Sequence, residues 1–415
     1  MAKVITTELQ HSGASAANIT LDSSKNVTCE NNLQVDGNVT VTGTLPAEKL
    51  TGNLPAISGA SLTGITSSDT LSNRNVIING EMKINQRGTV SSITSSKYAG
   101  PDRWKANLNA GTWTVSQESD GPPGFGYSYK IVCSTAKASL GTGDIVQILH
   151  QLEGQDVQRF KKGTSSAQTF SLSFWCKSNY TNTYIAELYD NDNDRCVSKS
   201  FTVSSSDTWE KKTFSFPADT TGAFGNDNGA SMRIYIKLAA GTDFTSGTLN
   251  TSAWIAQDNT KRAGGIGNLA GAVDRFFCVT GVQLEAGDTV TEYEHRSYHD
   301  ELLRCQRYFW MYYYPTAAAK SLMVAHNWHT NQIFGHINFP CRMRSAPSGV
   351  VTNGTNYWTA YKTTPNTSNF DTMSQWNANE NSAILEGMSP SVTAGESCFC
   401  TGNNASASFA FSAEL

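Results

Sequence analysis

The stretch from Thr169 to Cys176, TFSLSFWC, alternates between small polar and apolar side chains. Because successive residues of a β-strand point to opposite faces, Phe170, Leu172, Phe174 and Cys176 share one face. Further strand-like runs occur at 112–116, 128–132, 145–149, 184–189, 211–216 and 232–238. Turns rich in Gly, Asn and Asp separate them, and no long helical pattern intervenes. The sequence therefore predicts an all-β chain of antiparallel strands.

The composition fits short strands and many turns and excludes two classes of function. Charged residues make up 16% of the chain, below the typical level of about 25%. The net charge is −4 and lysines and arginines form no cluster, so no nucleic-acid partner is expected. The apolar runs are too short to span a bilayer, and the first ten residues lack a signal-peptide core. We expect a soluble protein without membrane insertion.

Residues 1–72 form a segment that cannot bury its own apolar side chains. Short alternating pieces at 18–21, 26–29, 33–35 and 39–41 each offer one small apolar face, with turn residues between them. A lone meander of this size is marginal in water. Leu and Ile then recur with Gly, Thr and Pro between 43 and 65, at a spacing of about ten residues. We predict a narrow β stalk that buries these faces against identical copies, as a homotrimer, rather than a flexible linker.

Two further domains are predicted after the stalk. Residues 73–298 contain the longer strands, and their close spacing predicts an antiparallel jelly-roll sandwich. Residues 299–415 are dense in aromatic side chains and predict a small β-sandwich tip. Its expected strands are 306–314, 320–327, 331–339, 356–362, 383–388, 396–401 and 407–412.

The junction between these domains, Thr280 to Tyr308, carries several carboxylates. A strand ending near Leu284 is followed by a turn, and a helical turn is expected to open at Asp300. Glu285, Glu292, Glu294 and Asp300 could supply the paired carboxylates of glycoside cleavage. We interpret them instead as solvated or ion-paired with Arg296 and Arg304.

Metal and cofactor sites are not predicted. The run Asp190 to Asp194 alternates oxygen ligands, but Arg195 stands where a calcium loop needs Gly, so a hairpin tip is expected. His326, His329 and His336 lack an acidic or Cys partner, and strand alternation would separate the first two. The nine cysteines show no CxxC pair and are expected to be buried thiols. Cys398 and Cys400 should share a strand face.

The aromatic side chains of the tip are the candidate binding residues. Rings stack on the apolar C–H faces of sugars, and neighbouring Asn, Thr and Ser side chains supply hydrogen bonds. Two segments with this mixture, 353–361 and 366–376, are expected to be surface loops. The candidate receptor-binding residues are Trp328, Tyr357, Trp358, Tyr361 and Trp376. The alternative is that these rings lie in the core or in a trimer interface.

Several phrases of the sequence resemble phage virion proteins. The segment GVQLEAG…EYEHRSYHDELLRCQRYF resembles a junction of phage tail fibres and related appendages. The phrases NVIINGEMKINQRGT, QLEGQDVQRF and FSLSFWCKS resemble the jelly-roll module of such proteins, which is similar to carbohydrate-binding modules of glycoside hydrolases. LPAISGASLTGI resembles the segment that precedes their globular domain.

This resemblance implies a structural virion protein without enzymatic activity, assembled in the host cytoplasm. Its N-terminus would attach, as a homotrimer, to a tail adaptor, nozzle or baseplate protein. Its distal domains would bind a host surface glycan or protein receptor. Three alternatives remain open: a head fibre or capsid decoration protein, a polysaccharide-degrading tailspike enzyme, and a bacterial carbohydrate-binding accessory protein. A tailspike enzyme would need a long β-helix repeat, which this sequence lacks.

Overall fold

The computed structural model describes residues 73–315, 320–362 and 367–415, and three short N-terminal strands. The chain divides into two compact units, residues 1–66 and 67–415. In the first unit, β1 Glu8–Leu9, β2 Ile19–Leu21 and β3 Val27–Cys29 form an antiparallel sheet. β2 and β3 match the pieces predicted at 18–21 and 26–29. The pieces at 33–35 and 39–41 and the repeat at 43–65 lie outside the described residues, as does the remainder of the predicted stalk.

The second unit begins with an antiparallel sandwich. Its strands and short helix are β4 Val90–Ile93, β5 Lys97–Tyr98, β6 Trp104–Leu108, β7 Thr112–Glu118, β8 Ser128–Thr135, β9 Ile145–Glu153, β10 Phe170–Ser178, β11 Thr183–Asp190, β12 Arg195–Thr202, β13 Glu210–Phe216, β14 Ala230–Ala240, α1 Thr242–Thr245, β15 Ile255–Ala256 and β16 Phe276–Ala286. Single 3₁₀ turns lie at Gly154–Asp156, Gln158–Phe160, Asn259–Lys261 and Leu269–Gly271.

These strands form two sheets that enclose one core. The six-stranded sheet has the order β13-β10-β16-β8-β7-β4, and the seven-stranded sheet has the order β15-β12-β11-β14-β9-β6-β5. The chain repeatedly passes from one sheet to the other, as in a jelly roll. Phe170, Leu172 and Phe174 are fully buried on the inner face of β10, as their alternation predicts. Each such side chain stabilises the fold by about 1.5–3 kcal/mol.

The C-terminal elements of this unit are α2 Tyr298–Gln306, β17 Phe309–Tyr313, β18 Ser321–His329, β19 Gln332–Asn338, β20 Ser348–Thr352, β21 Trp358–Tyr361, β22 Thr367–Phe370, β23 Thr372–Ala378, β24 Ser382–Met388, β25 Ser397–Gly402 and β26 Ser408–Ser412. The strands form a three-stranded sheet, β17-β26-β20, and a seven-stranded sheet, β22-β21-β25-β18-β19-β24-β23. A second apolar core lies between them. All seven strands expected in the tip are present, but β20, β22 and β23 were not predicted.

Helix α2 lies at the junction of sandwich and tip. Ser297 caps it by accepting a hydrogen bond from the Asp300 amide at 3.1 Å, so the helix begins two residues before the predicted position. Arg307, next to its end, donates to the buried carboxylate of Glu153 at 2.8 and 2.7 Å. At the other end of the tip sequence, Glu414 pairs with Arg103 and with Arg87. These ion pairs fasten the tip to the sandwich.

Candidate functional site

The outer face of the seven-stranded sheet of the tip exposes side chains to solvent. In β18, Ala325 and Asn327 are buried, whereas Val324, His326 and Trp328 between and beside them are exposed. This alternation follows from the pleat, because one face of the sheet packs on the second core. The exposed residues of β18 therefore define the outward face of the whole sheet.

Two β-bulges on this face each carry a tryptophan. The register of β18 against β19 shifts between Asn327 and His329, which leaves Trp328 unpaired. The register of β23 against β24 shifts around Trp376 in the same way. A bulge bends its strand and re-aims the extra side chain, and bulges are common beside functional sites. Trp328 is 61% exposed and Trp376 is 59% exposed.

Phe334 of β19 lies between the two tryptophans. Its ring centroid is 6.4 Å from that of Trp328, at an interplanar angle of 86°. It is 5.4 Å from that of Trp376, at an angle of 66°. Aromatic pairs are favourable in this geometry, so these contacts help to hold the three rings in place. We call Trp328, Phe334 and Trp376 the aromatic triad.

A carboxylate lies beside the triad. Glu386 of β24 is directly opposite Phe334 in the register of the sheet. The Gln332 side-chain amide donates to one oxygen of Glu386, and the Ser374 hydroxyl lies 3.5 Å from the other. His326 is opposite Phe334 on the β18 side. The apolar rings are therefore bordered by polar groups that can bind hydroxyl or amino groups of a ligand.

A shallow depression of about 290 Å³ continues the same face. It is lined by His336, Asn377, Asn379, Ser382 and Ile384, among others. His336 follows Phe334 by two residues on β19, so both side chains point outward. The depression thus extends the triad along the sheet and adds amide and hydroxyl groups.

The structure separates the five predicted binding residues. Trp328 and Trp376 lie in the triad, although Trp376 is in a strand and not in the surface loop that we predicted. Tyr361 is 42% exposed and lies on the same face, near Phe399 at a centroid distance of 6.2 Å. Tyr361 and Phe399 lie on β21 and β25, on the other side of β18 from Phe334 and Trp376, and they are not part of the aromatic triad.

The placement of Trp358 on a surface loop was wrong. Its ring is fully buried in the second core at the start of β21, and its Nε1 donates to Asn353 Oδ1 at 2.7 Å. Tyr357 is half-buried and packs against the same core. The reason is that the last four residues of the segment, Trp358–Tyr361, form β21, which pairs with β25 and β22 inside the sheet. The Trp358 ring is therefore not accessible to a ligand.

Sequence reasoning missed Phe334 and Glu386. The signal for Phe334 was available, because Ile333 and Ile337 alternate with it and point to the core. For Glu386 the sequence signal was weak, since the pattern of β24 is that of any strand with one buried face and does not mark Glu386 as a binding residue.

Other candidate centres have structural partners. The Asp190 carboxylate, which we had weighed as a calcium ligand, contacts the buried Lys162 ammonium at 2.5 Å at the end of a hairpin. Cys398 and Cys400 share a strand face, with sulfurs 3.9 Å apart, and both are free thiols. Within residues 73–315, 320–362 and 367–415, no three His, Cys, Asp or Glu side chains are grouped as metal ligands. None of the helices in the described part of the chain is long and apolar enough to cross a membrane.

The junction carboxylates are held by neighbouring groups. Glu285 accepts from the Thr291 amide, and Glu294 accepts from the Asn75 amide, both at 2.8 Å. Arg296 lies 3.7 Å from Glu294, as the ion-paired interpretation expects. Arg304 instead donates to the Asn73 side chain at 3.3 Å.

Comparison with known proteins identifies no family. No protein-family model matches the chain, and no curated protein matches it. Among solved structures, the enzymatically active domain of bacteriophage CBA120 tailspike protein 4 is similar at a TM-score of 0.27 and 13% identity, covering 51% of this chain and 21% of that one. TmCBM61 in complex with β-1,4-galactotriose has a TM-score of 0.27 and 9% identity, covering 51% and 99%. The CBM22-1-GH10 modules of Clostridium thermocellum xylanase 10B give 0.27 and 10%, covering 52% and 29%. Because these scores are low, the function proposed below rests on the side chains of this chain.

Proposed function

We propose that this protein is a non-enzymatic adhesin of a virus particle, a phage tail fibre, and that the aromatic triad binds a glycan on the host surface. The observation that carries the proposal is the pair of bulges, which hold two large rings on one open face. Exposed tryptophans cost solubility, so a contiguous group of them marks a binding surface. The open ring faces suit the apolar C–H faces of sugars, and the bordering side chains suit their hydroxyl groups.

The proposed mechanism is multivalent adhesion. A homotrimer would present three triads on one body, and several fibres on a particle would multiply them. Linked sites raise the apparent affinity by about 10²–10⁴ without any new contact. A shallow site of modest affinity is sufficient for such a fibre. Attachment to the tail through residues 1–72 is supported by the resemblance of the N-terminal phrases to those of phage fibres.

The absence of a catalytic step is part of the proposal. Glycoside cleavage needs two carboxyl groups that flank the scissile bond. At the junction, Glu285 and Glu294 accept hydrogen bonds from backbone amides and lie near arginines, while Glu292 and Asp300 are exposed. Beside the triad, Glu386 is the one carboxylate within β18, β19, β23 and β24. These observations favour binding over hydrolysis, and release of reducing ends from a bound polysaccharide would contradict it.

The test is a glycan array with the full-length chain. We expect the wild-type protein to bind a defined set of glycans, and the double variant Trp328→Ala, Trp376→Ala to lose that binding. Tyr298→Ala is the matched control, because Tyr298 is also 61% exposed but precedes the tip strands. Equal patterns for the wild type and the double variant would refute the triad as the receptor site.

The position in the virion is tested separately. Antibody labelling of purified particles should mark the tail. Labelling of the head would instead support the head-fibre alternative, with the same binding face and a different docking partner.

A further inference from the structure

The strands around the aromatic triad have an unusual charge composition. β18, β19, β23 and β24 contain no lysine and no arginine, and Glu386 is their single carboxylate. By contrast, the strand β13 of the sandwich carries Lys211 and Lys212 beside Glu210. An adhesive face for acidic polysaccharide would need cations to neutralise its ligand. This face has no lysine or arginine on its four strands, and its basic side chains are the imidazoles of His326, His329 and His336.

The surroundings of Glu386 leave its negative charge without a cationic partner. Its two contacts are the neutral Gln332 amide and Ser374 hydroxyl, and it takes part in none of the ion pairs among the described residues. These two contacts fix the carboxylate beside Phe334, which it faces across the sheet. The charge is therefore positioned but uncompensated.

Neighbouring turns add to the negative potential. Asp371 immediately precedes the β23 residue that pairs with Met388, and Glu396 joins Asn327 through its backbone carbonyl. Both side chains are exposed. The lysine of the adjoining loop, Lys362, donates its ammonium to the Ser391 carbonyl. Asp371 accepts from the Asn356 amide at 2.7 Å, and Lys362 keeps its positive charge, so these three side chains together carry a net charge of −1.

The faces of the tryptophan rings, like the carboxylates, attract cations. An indole face is electron-rich, and it attracts a cation placed over it more strongly than the other aromatic rings do. Trp328 is 61% exposed and Trp376 is 59% exposed although each contacts Phe334, so a large part of each indole is open to solvent. A cation above the triad would gain attraction from the rings and from Glu386 together.

We propose that the triad and Glu386 bind a cationic amino-sugar unit, a hexosamine whose amine is not acetylated, within the host glycan. This inference rests on the proposed glycan-binding function and specifies the ligand class of the same site. The protonated amine would lie between Glu386 and a tryptophan face, and the apolar side of the sugar ring would stack on the other tryptophan. Acidic glycans would be rejected by the carboxylates.

The test compares two ligands that differ in one group. Calorimetric titration of the full-length protein uses an oligosaccharide of glucosamine and the same oligosaccharide of N-acetylglucosamine, at about pH 7, where an amine with a pKa of about 7.7 is still mostly protonated. We expect the amino form to bind about tenfold more tightly. Glu386→Gln, which keeps the shape and removes the charge, should reduce this difference to the part that the tryptophan faces supply and leave the acetylated form unaffected. Ser374→Ala is the control that removes a contact of Glu386 and keeps its charge.

The outcomes separate this inference from the proposed function. Equal or weaker binding of the amino form overturns the inference, as does a preference that is as large in Glu386→Gln as in the wild type. If the acetylated form binds as well and binding depends on Trp328 and Trp376, the triad is a glycan site without charge selection. If the array finds no glycan and the tryptophan variants change nothing, both the inference and the proposed function are wrong.

Discussion

At the scale of single residues, Asp102 couples the attachment of the tip to pH. It is fully buried, and it accepts hydrogen bonds from the Gln86 side chain at 2.5 Å and from Arg87 at 3.1 Å. Burial raises the pKa of Asp102 from 3.8 to about 6, and Arg87 and Gln86 oppose this only in part. Gln86 also donates to the Phe309 carbonyl of the tip at 2.7 Å.

A pH dependence of stability follows from Asp102. Between about pH 4 and 6 the carboxyl is ionised in the unfolded chain and still protonated in the folded one, so stability falls as pH rises. The free energy of unfolding is expected to fall by up to ~3 kcal/mol over this range. Urea unfolding across this range should show a shallower slope in Asp102→Asn than in the wild type. Identical slopes in the two proteins would contradict the shifted pKa.

Lys162 is a second residue whose loss should be severe. Its ammonium is buried between Asp190 at 2.5 Å and Asp219 at 3.1 Å, and it donates to the carbonyls of Thr221 and Gly222. Lys162→Met leaves two buried carboxylates without this partner, which should cost about 3–5 kcal/mol. Lys161→Met is the matched control, since Lys161 is exposed. Chemical denaturation measures both, and a small loss in Lys162→Met would refute the role of the buried pair.

At the scale of strands, the direction of a ring decides whether it binds or stabilises. Trp358→Ala empties a fully buried site in β21 and should lower the free energy of unfolding by about 3–5 kcal/mol. Trp328→Ala removes an exposed ring at a bulge and should change it by about 0.5 kcal/mol or less. Denaturant unfolding of the two variants checks this. A large loss of stability in Trp328→Ala would mean that the ring is structural and not a free binding surface.

The sequence predicted some strands and missed others. β10 was predicted because its alternating Phe and Leu side chains face a core, and the structure confirms the all-β class that such runs indicate. β23, TMSQWNA, was missed because it is mostly polar and lies at the edge of its sheet, where only part of one face is buried. Its bulge depends on the register of its pairing with the next strand, β24, which the order of polar and apolar residues within β23 does not specify. For the same reason the sequence indicated a segment rich in aromatic side chains but not that the Trp358 ring points into the core.

At the scale of the whole molecule, multivalent adhesion requires several copies of the site on one rigid body. The tip is fixed to the sandwich by Arg307 and Glu153 and by Glu414 with two arginines. A receptor bound at the triad can therefore pull on the sandwich without a hinge. We predict that the full-length chain is a trimer, because the apolar pieces of residues 1–72 need copies of themselves for burial. Light scattering should give three times the mass of the chain, and a monomer would refute the stalk.

The central claim is that recognition takes place on the outer face of the tip and not on the sandwich. A crystal structure of the full-length protein with the glycan selected by the array tests this most directly. We predict electron density for a sugar stacked on Trp328 or Trp376, with a polar contact to Glu386. Density bound only to residues 73–298, with the triad open to solvent, would contradict the claim.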